Sequence, residues 1–146
     1  MEVKTSRFGV LRVLPQDLIT FEQGIVGFRE LRRWCLLSDA DCPTLGWLQS
    51  VDTPEVAMGI VSPRRFVPEY QLRAARQDLQ DLNLQAEGDA QVVVIVSRHE
   101  EGFSLNLRAP IVVNVENRRG CQVVSRDPLP VQRLLPVPQT VLRRTA

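Results

Sequence analysis

The sequence is poor in the residue types that most enzyme and metal sites use. Its 146 residues include one histidine, His99, and three cysteines, Cys35, Cys42 and Cys121, none of them spaced as a C-x-x-C pair. Zinc sites and redox dithiols need closely spaced cysteines and histidines, and a nucleophilic thiol or hydroxyl needs a base beside it. A glycine-rich phosphate-binding loop is also missing. We therefore predict that the chain is not an enzyme and binds no metal or cofactor.

Long apolar runs and an excess of charge of one sign are missing as well. No run approaches the roughly 18 apolar residues of a membrane-spanning helix, and the opening MEVKTSRFGV lacks the layout of a secretory signal. The formal net charge is +1, which argues against a dedicated binder of nucleic acid or membrane surfaces. Lys4 is the single lysine, and the evenly scattered arginines fit a bias in codon usage. We predict a cytoplasmic protein without membrane contact.

What the sequence does contain is a series of short apolar runs separated by turn residues, the pattern of an all-β barrel or sandwich. The alternation in RFGVLRV (Arg7–Val13) predicts a strand, and VVVIV (Val92–Val96), apolar on both faces, predicts a central covered strand. Ala75, Leu79 and Leu82 share one face of a predicted helix. The prediction is a mainly β fold, a small antiparallel β-barrel-like single domain with one or two short helices.

Proline usage predicts where this domain ends. Four of the ten prolines lie after residue 126, in DPLPVQRLLPVPQTVLRRTA. Such a segment is typical of a docking strap or a frayed end. We therefore divide the chain into a barrel domain over residues 1–126 and a Pro/Arg-rich C-terminal tail over residues 127–146.

The stretch GWLQSVDTPEVAMGIVSP (Gly46–Pro63) predicts a hairpin with an unusual distribution of polar and small side chains. Its first strand carries Gln49 and Ser50 inside an apolar run. Its second strand places Ala57 and Gly59 on one face, because successive side chains of a strand point to opposite sides. A face of small residues indicates close approach by a neighbour, and we expect another segment of the same chain there.

Five motifs in this order resemble the FliW family of flagellar assembly factors. They are FEQGIVGF (Phe21–Phe28), WLQSVDTP (Trp47–Pro54), VPEY (Val67–Tyr70), NLRAPIVVN (Asn106–Asn114) and GCQVV (Gly120–Val124). The resemblance implies a small cytoplasmic β-barrel-like protein that binds flagellin, the filament subunit, and the translational regulator CsrA. It also implies partner switching, in which capture of CsrA relieves repression of flagellin synthesis and flagellin competes for the same protein.

The candidate partner-binding residues lie in SPRRFVPEYQ (Ser62–Gln71), where aromatic residues stand among prolines and arginines. Aromatic and arginine side chains on an irregular loop are typical interface anchors. The predicted contact residues are Arg64, Arg65, Phe66, Tyr70 and Gln71. The alternative is that Phe66 and Tyr70 attach the loop to the barrel.

A small β-barrel RNA-binding module is the alternative function. Such modules stack bases on aromatic side chains of basic strands. Aromatic residues make up only 5% of this sequence, and none lies in a basic alternating strand, so we expect no direct binding of nucleic acid.

Overall fold

Short β-branched and aromatic runs, interrupted by glycine, proline and acidic turn residues, form the strands of this protein. The computed structural model describes residues 1–85, 87–100 and 102–135, and 11 strands lie within them. The strands are β1 (Glu2–Thr5), β2 (Gly9–Arg12), β3 (Leu18–Thr20), β4 (Arg33–Ser38), β5 (Leu45–Ser50), β6 (Ala57–Val61), β7 (Ala90–His99), β8 (Gly102–Leu105), β9 (Ile111–Asn114), β10 (Arg119–Gln122) and β11 (Arg133–Leu134). Short 3-10 helices span Pro15–Asp17, Pro63–Arg65, Arg76–Leu82 and Glu87–Asp89.

Seven of these strands close into a barrel. The order around it is β3, β4, β5, β6, β7, β9 and β10, and β10 returns to β3. The long strand β7 makes closure possible, because its first half pairs with β9 and its second half pairs with β6 and β8. The prediction of a mainly β, barrel-like single domain is confirmed. The barrel is mixed, since β10 and β3 run parallel.

We call the parallel contact between β3 and β10 the seam. Its register consists of one residue pair, Thr20 with Arg119. The amide of Thr20 donates to the carbonyl of Arg118 at 3.0 Å. The Arg118 guanidinium donates to the carbonyls of Asp17 and Leu18 at 3.1 and 3.4 Å. The side chain of Arg118 therefore adds to a strand pairing that is short by itself.

The barrel interior is filled by large apolar side chains from strands all around it. Trp34 of β4 is fully buried, and its indole N–H donates to the carbonyl of Leu31 at 3.0 Å. Phe21 and Phe28 meet the Trp34 ring edge-on, at centroid distances of 6.5 and 6.3 Å. The other buried members of this cluster are Ile19, Ile25, Leu31, Leu48, Ile60, Val93, Ile111 and Val113.

A second apolar cluster lies on the outer face of the sheet, and we call it the outer cluster. It includes Trp47, Val67, Tyr70, Val94 and Leu105. Since Val93 lies in the barrel interior and its neighbour Val94 in the outer cluster, both faces of β7 are covered, as VVVIV predicted.

Residues 126–135, which we call the strap, run from the end of the predicted barrel domain into the C-terminal tail and cover the outer cluster. Leu129 and Leu135 pack against the cluster, and β11 pairs with β8. The amide of Leu107 donates to the carbonyl of Pro130 at 3.1 Å. The rest of the predicted tail, residues 136–146, lies outside the described residues.

The small residues of β6 face a neighbouring strand. A Cβ atom on Gly59 would lie 3.7 Å from atoms of Leu45 and Trp47, and Trp47 is the cross-strand partner of Gly59. The Phe8 ring packs edge-on against Trp47 at a centroid distance of 5.6 Å. The covering group at Gly59 is thus the indole ring, and the N-terminal segment packs on that ring.

Candidate functional site

The loop that carries the predicted contact residues leaves β6 at Ser62 and folds back through a 3-10 turn. The amide of Val67 donates to the carbonyl of Pro63 at 2.8 Å, and the amide of Tyr70 donates to that of Val67 at 2.9 Å. These turns direct Val67 and Tyr70 into the outer cluster, where both are buried. Apolar burial at two points fixes the loop on the barrel.

Tyr70 is attached to the barrel by its hydroxyl group as well. The hydroxyl donates to the carbonyl of Leu107 at 2.8 Å. Burial raises the pKa of Tyr70 to about 12, so the group stays protonated and keeps its donor role at neutral pH. Its exposed fraction is only 5%, so Tyr70 supports the loop and offers little surface for a partner.

The other four predicted residues divide between different surfaces. Arg64, Arg65 and Gln71 are exposed, and Phe66 is half-buried against the outer cluster. Arg64 is oriented by its Nε–H, which donates to the carbonyl of Tyr70 at 3.0 Å. Arg64, Tyr70 and Gln71 line one depression together, whereas Arg65 lines a different one beside β4 and β5.

Two adjoining depressions beside the loop share part of their lining, and we call them together the arginine groove. The first has a volume of about 850 Å³ and lies between the loop and the Arg76–Leu82 helix. The second has a volume of about 880 Å³ and lies between that helix and Arg126. Both are lined by Leu79 and Leu84, which are half-buried.

The Arg76–Leu82 helix is attached to the barrel by two asparagines. The side-chain amides of Asn114 and Asn117 both donate to the carbonyl of Leu82, at 2.9 and 2.8 Å. Asn83 follows with a φ of +50° and ends the helix, a conformation that asparagine tolerates better than most residues. Asn114 of β9, buried in the sheet, thereby positions one wall of the groove.

The charges of the arginine groove have one sign among its described residues. Arg64 lines the first depression, Arg76 and Arg126 line the second, and no carboxylate is found among the lining residues that the structure describes. The acidic residues Asp78 and Asp81 of the helix lie close to Cys121, where their charges add to burial in raising the pKa of that thiol to about 11. The helix therefore separates an acidic side from the groove.

Two signature residues of the WLQSVDTP motif prove to be internal. Gln49 is fully buried, and its amide donates to the carbonyls of Pro54 and Val56 at 3.0 and 3.1 Å. The hydroxyl of Ser50 accepts a hydrogen bond from the amide of Thr53 at 2.9 Å. Both side chains stabilise the turn between β5 and β6, so they shape the fold instead of a contact surface.

The remaining candidates for chemistry are unsuited to it. His99 lies 2.7 Å from the hydroxyl of Ser104, but Ser104 is only 1% exposed. Burial, with a smaller effect of Asp17, raises the pKa of Cys35, which keeps this thiol protonated and a poor nucleophile. The described residues contain no cluster of three or more potential metal ligands. In the same residues, no helix is long and apolar enough to cross a membrane.

Sequence reasoning located the loop but missed most of the groove. Arg76 and Arg126 are far apart along the chain, but they line the same depression. The two segments are joined by the amide of Arg126, which donates to the carbonyl of Arg73 at 2.6 Å. An exposed ion pair between Arg73 and Asp127, at 3.5 Å, joins the same two segments. No local sequence pattern predicts this contact between the two segments.

Comparison with known proteins gives one consistent result. The sequence profile of the family described as "FliW protein" matches residues 2–134. A flagellar assembly factor FliW from Bdellovibrio bacteriovorus is 36% identical over 129 residues, which cover 87% of this chain and 74% of that protein. One from Caldanaerobacter subterraneus is 37% identical over 131 residues and 85% of each chain. The crystal structure of a flagellar assembly factor FliW matches with a TM-score of 0.85 at 30% identity, covering 97% of this chain and all of that one.

Proposed function

This chain belongs to the FliW family of non-enzymatic flagellar assembly factors, and from that membership we propose that it acts by switching partners in the cytoplasm. In this proposal it binds flagellin while flagellin is abundant. When secretion removes flagellin, the freed protein captures CsrA and relieves repression of flagellin synthesis. Two ligands that exclude each other are coupled by mass action alone.

The observation that carries the proposal is the extent of the family match. Relatives named flagellar assembly factors are 36% and 37% identical over 87% and 85% of this chain. The match includes both the barrel and the loop of residues 62–71. The buried thiols and the buried Ser104 agree with a binding role, since none of these groups is placed for catalysis.

We propose the exposed side of the loop as part of the partner surface. Arg64, Arg65 and Gln71 offer donors to solvent, and Phe66 presents part of its ring. Tyr70 contributes by orienting Arg64 through its backbone carbonyl. Arginine beside an aromatic ring is a frequent composition of interface hot spots.

The alternative of an RNA-binding module finds no support in the distribution of aromatic side chains. All eight aromatic residues lie among the described residues, and each is buried or half-buried. Trp47 is covered by Arg7, whose Cζ atom lies 4.6 Å from the ring centroid, and is only 6% exposed. Bases stack on exposed rings in single-strand binders, whereas the rings of this protein are at most partly exposed.

Calorimetric titration with CsrA and flagellin of the same organism tests the proposed switch. We expect each protein to bind alone, and we expect prior saturation with flagellin to abolish the heat of CsrA binding. Simultaneous binding of both proteins would contradict the switch. Binding of flagellin without any CsrA binding would contradict the regulatory half of the proposal.

A further inference from the structure

We infer that the arginine groove is the docking site for a partner segment that carries apolar side chains with carboxylates beside them. This inference rests on the proposed function and deepens it, because it assigns a surface and a chemistry to the binding of flagellin. Two observations support this choice of occupant: the floor of the groove is apolar, and the charges around it are positive.

The floor of the groove is apolar and incompletely covered. Leu72, Leu79, Leu84 and Val92 line it and are half-buried. Leu82, one turn after Leu79 on the same face of the 3-10 helix, is fully buried against Val112. The helix thus contributes one leucine to the core and leaves another in contact with both depressions, as in grooves that receive the apolar face of a peptide.

The positive charges around the groove favour a negatively charged occupant. Arg64, Arg76 and Arg126 are all exposed, and they are placed around the apolar floor. The protein as a whole has a net charge of only +1, so this positive surface results from local sorting of charge. Complementary charge speeds association and disfavours like-charged partners. A segment with carboxylates fits, and a lysine- and arginine-rich segment does not.

The second depression is completed by the strap. Arg126 is the first strap residue, and its backbone amide is fixed to the carbonyl of Arg73 at 2.6 Å. The second depression therefore has the hydrogen-bonded backbone of Arg126 on one side and the Arg76–Leu82 helix, attached through Asn114, on the other. A preformed site of this kind binds without a large ordering cost.

The test measures the affinity of purified flagellin for the full-length protein and for charge-reversal variants at low and at high salt. We expect Arg76→Glu and Arg126→Glu each to weaken binding by about tenfold or more at low salt, with a smaller loss at high salt because exposed charges are screened. Leu84→Asp is expected to weaken binding at both salt concentrations. Arg12→Glu is the matched control, since Arg12 is exposed on β2 and lines neither depression.

The outcomes separate the inference from the proposed function. If flagellin binds the wild type and both Arg76→Glu and Arg126→Glu with unchanged affinity, the groove assignment is overturned and flagellin binding stands. Tighter binding by either charge reversal would overturn it too, because the occupant would then be basic. If flagellin does not bind the wild type at all, the proposed function fails and the groove assignment fails with it. Thermal unfolding confirms that each variant is folded.

Discussion

Gly120 of β10 lies directly against the ring of Phe21: a Cβ atom at residue 120 would be 2.6 Å from the Cζ atom of that ring. Phe21 is fully buried in the barrel interior, so the ring cannot move aside into solvent. The glycine of the GCQVV motif is therefore required by packing.

Replacing Gly120 by alanine tests this relationship. We expect Gly120→Ala to lower the free energy of unfolding by about 1–3 kcal/mol, the usual cost of overpacking a core. Gly88→Ala is the control, since a Cβ atom there meets nothing within 4 Å. Urea unfolding measures both variants. Equal midpoints for Gly120→Ala and the wild type would refute the packing argument.

Gln49→Ala removes the amide that stabilises the turn between β5 and β6. We expect a loss of about 1–3 kcal/mol in the free energy of unfolding, because buried hydrogen bonds to Pro54 and Val56 disappear. The control is Gln23→Ala at an exposed site, with an expected change below about 0.5 kcal/mol. A loss no larger than that of the control would show that the turn forms without Gln49.

The buried hydroxyl of Tyr70 predicts a dependence of stability on alkaline pH. The folded pKa is raised from 10.0 to about 12, so between these values the unfolded chain loses the proton that the folded chain keeps. The contribution to stability is complete below pH 10 and is lost as the pH rises towards 12. Tyr70 is the only tyrosine, so ultraviolet absorbance of tyrosinate follows its titration directly.

Tyr70→Phe separates this effect from the titration of the cysteines. The variant should lose about 0.5–1.5 kcal/mol at neutral pH, the value of a typical hydrogen bond, and its stability should fall less steeply between pH 10 and 12. A tyrosinate transition of the folded protein centred at 10 would contradict burial of the hydroxyl.

Phe66→Ala distinguishes the two roles considered for this ring. As an interface anchor, Phe66 should contribute more than about 1 kcal/mol to flagellin affinity, with only a small change in thermal stability because the ring is half-buried. Val10→Ala, at a residue 60% exposed on β2, is the control for removing a surface apolar group. Reduced stability with unchanged affinity would identify Phe66 as a residue that attaches the loop.

A chain that ends at Arg126 tests the boundary of the barrel domain. We expect it to fold, because the closed barrel needs no strand beyond β10. It should lose about 2–4 kcal/mol, since Leu129 and Leu135 no longer cover the outer cluster and the hydrogen bond to Pro130 is removed. Circular dichroism and urea unfolding measure both quantities. A truncated chain that fails to fold would place the strap within the domain.

The sequence predicted the fold where local patterns carry the information. VVVIV identified β7, and the covered faces of Val93 and Val94 agree with its β-branched composition. RFGVLRV predicted a strand over Arg7–Val13, and β2 covers Gly9–Arg12 of it, because Arg7 and Phe8 belong to the preceding turn. Thr5 forms that turn by accepting from the amide of Phe8 and donating to the carbonyl of Gly9, and Gly9 has a φ of +68°.

The candidate site was predictable only in its local part. Arg64, Tyr70 and Gln71 lie on one loop, so composition pointed to them together, and they do line one depression. Arg76 and Arg126 line one depression only because the strap packs back over the barrel. Tertiary contacts of this kind produce no periodic pattern in the sequence. The parallel pairing of β3 with β10 was not predicted for the same reason.

The seam also bears on how the barrel closes during folding and opens in the native state. Every other neighbouring pair in the barrel has at least three residues in register, whereas the seam has one. It joins segments about 100 positions apart, as the Arg118–Leu18 contact shows, and closing so long a loop costs chain entropy before the contact repays it. We therefore expect the seam to close last during folding and to open first in the native state. The amide proton of Thr20 should exchange with solvent well before those of β5, through an opening that leaves the other strand pairs intact.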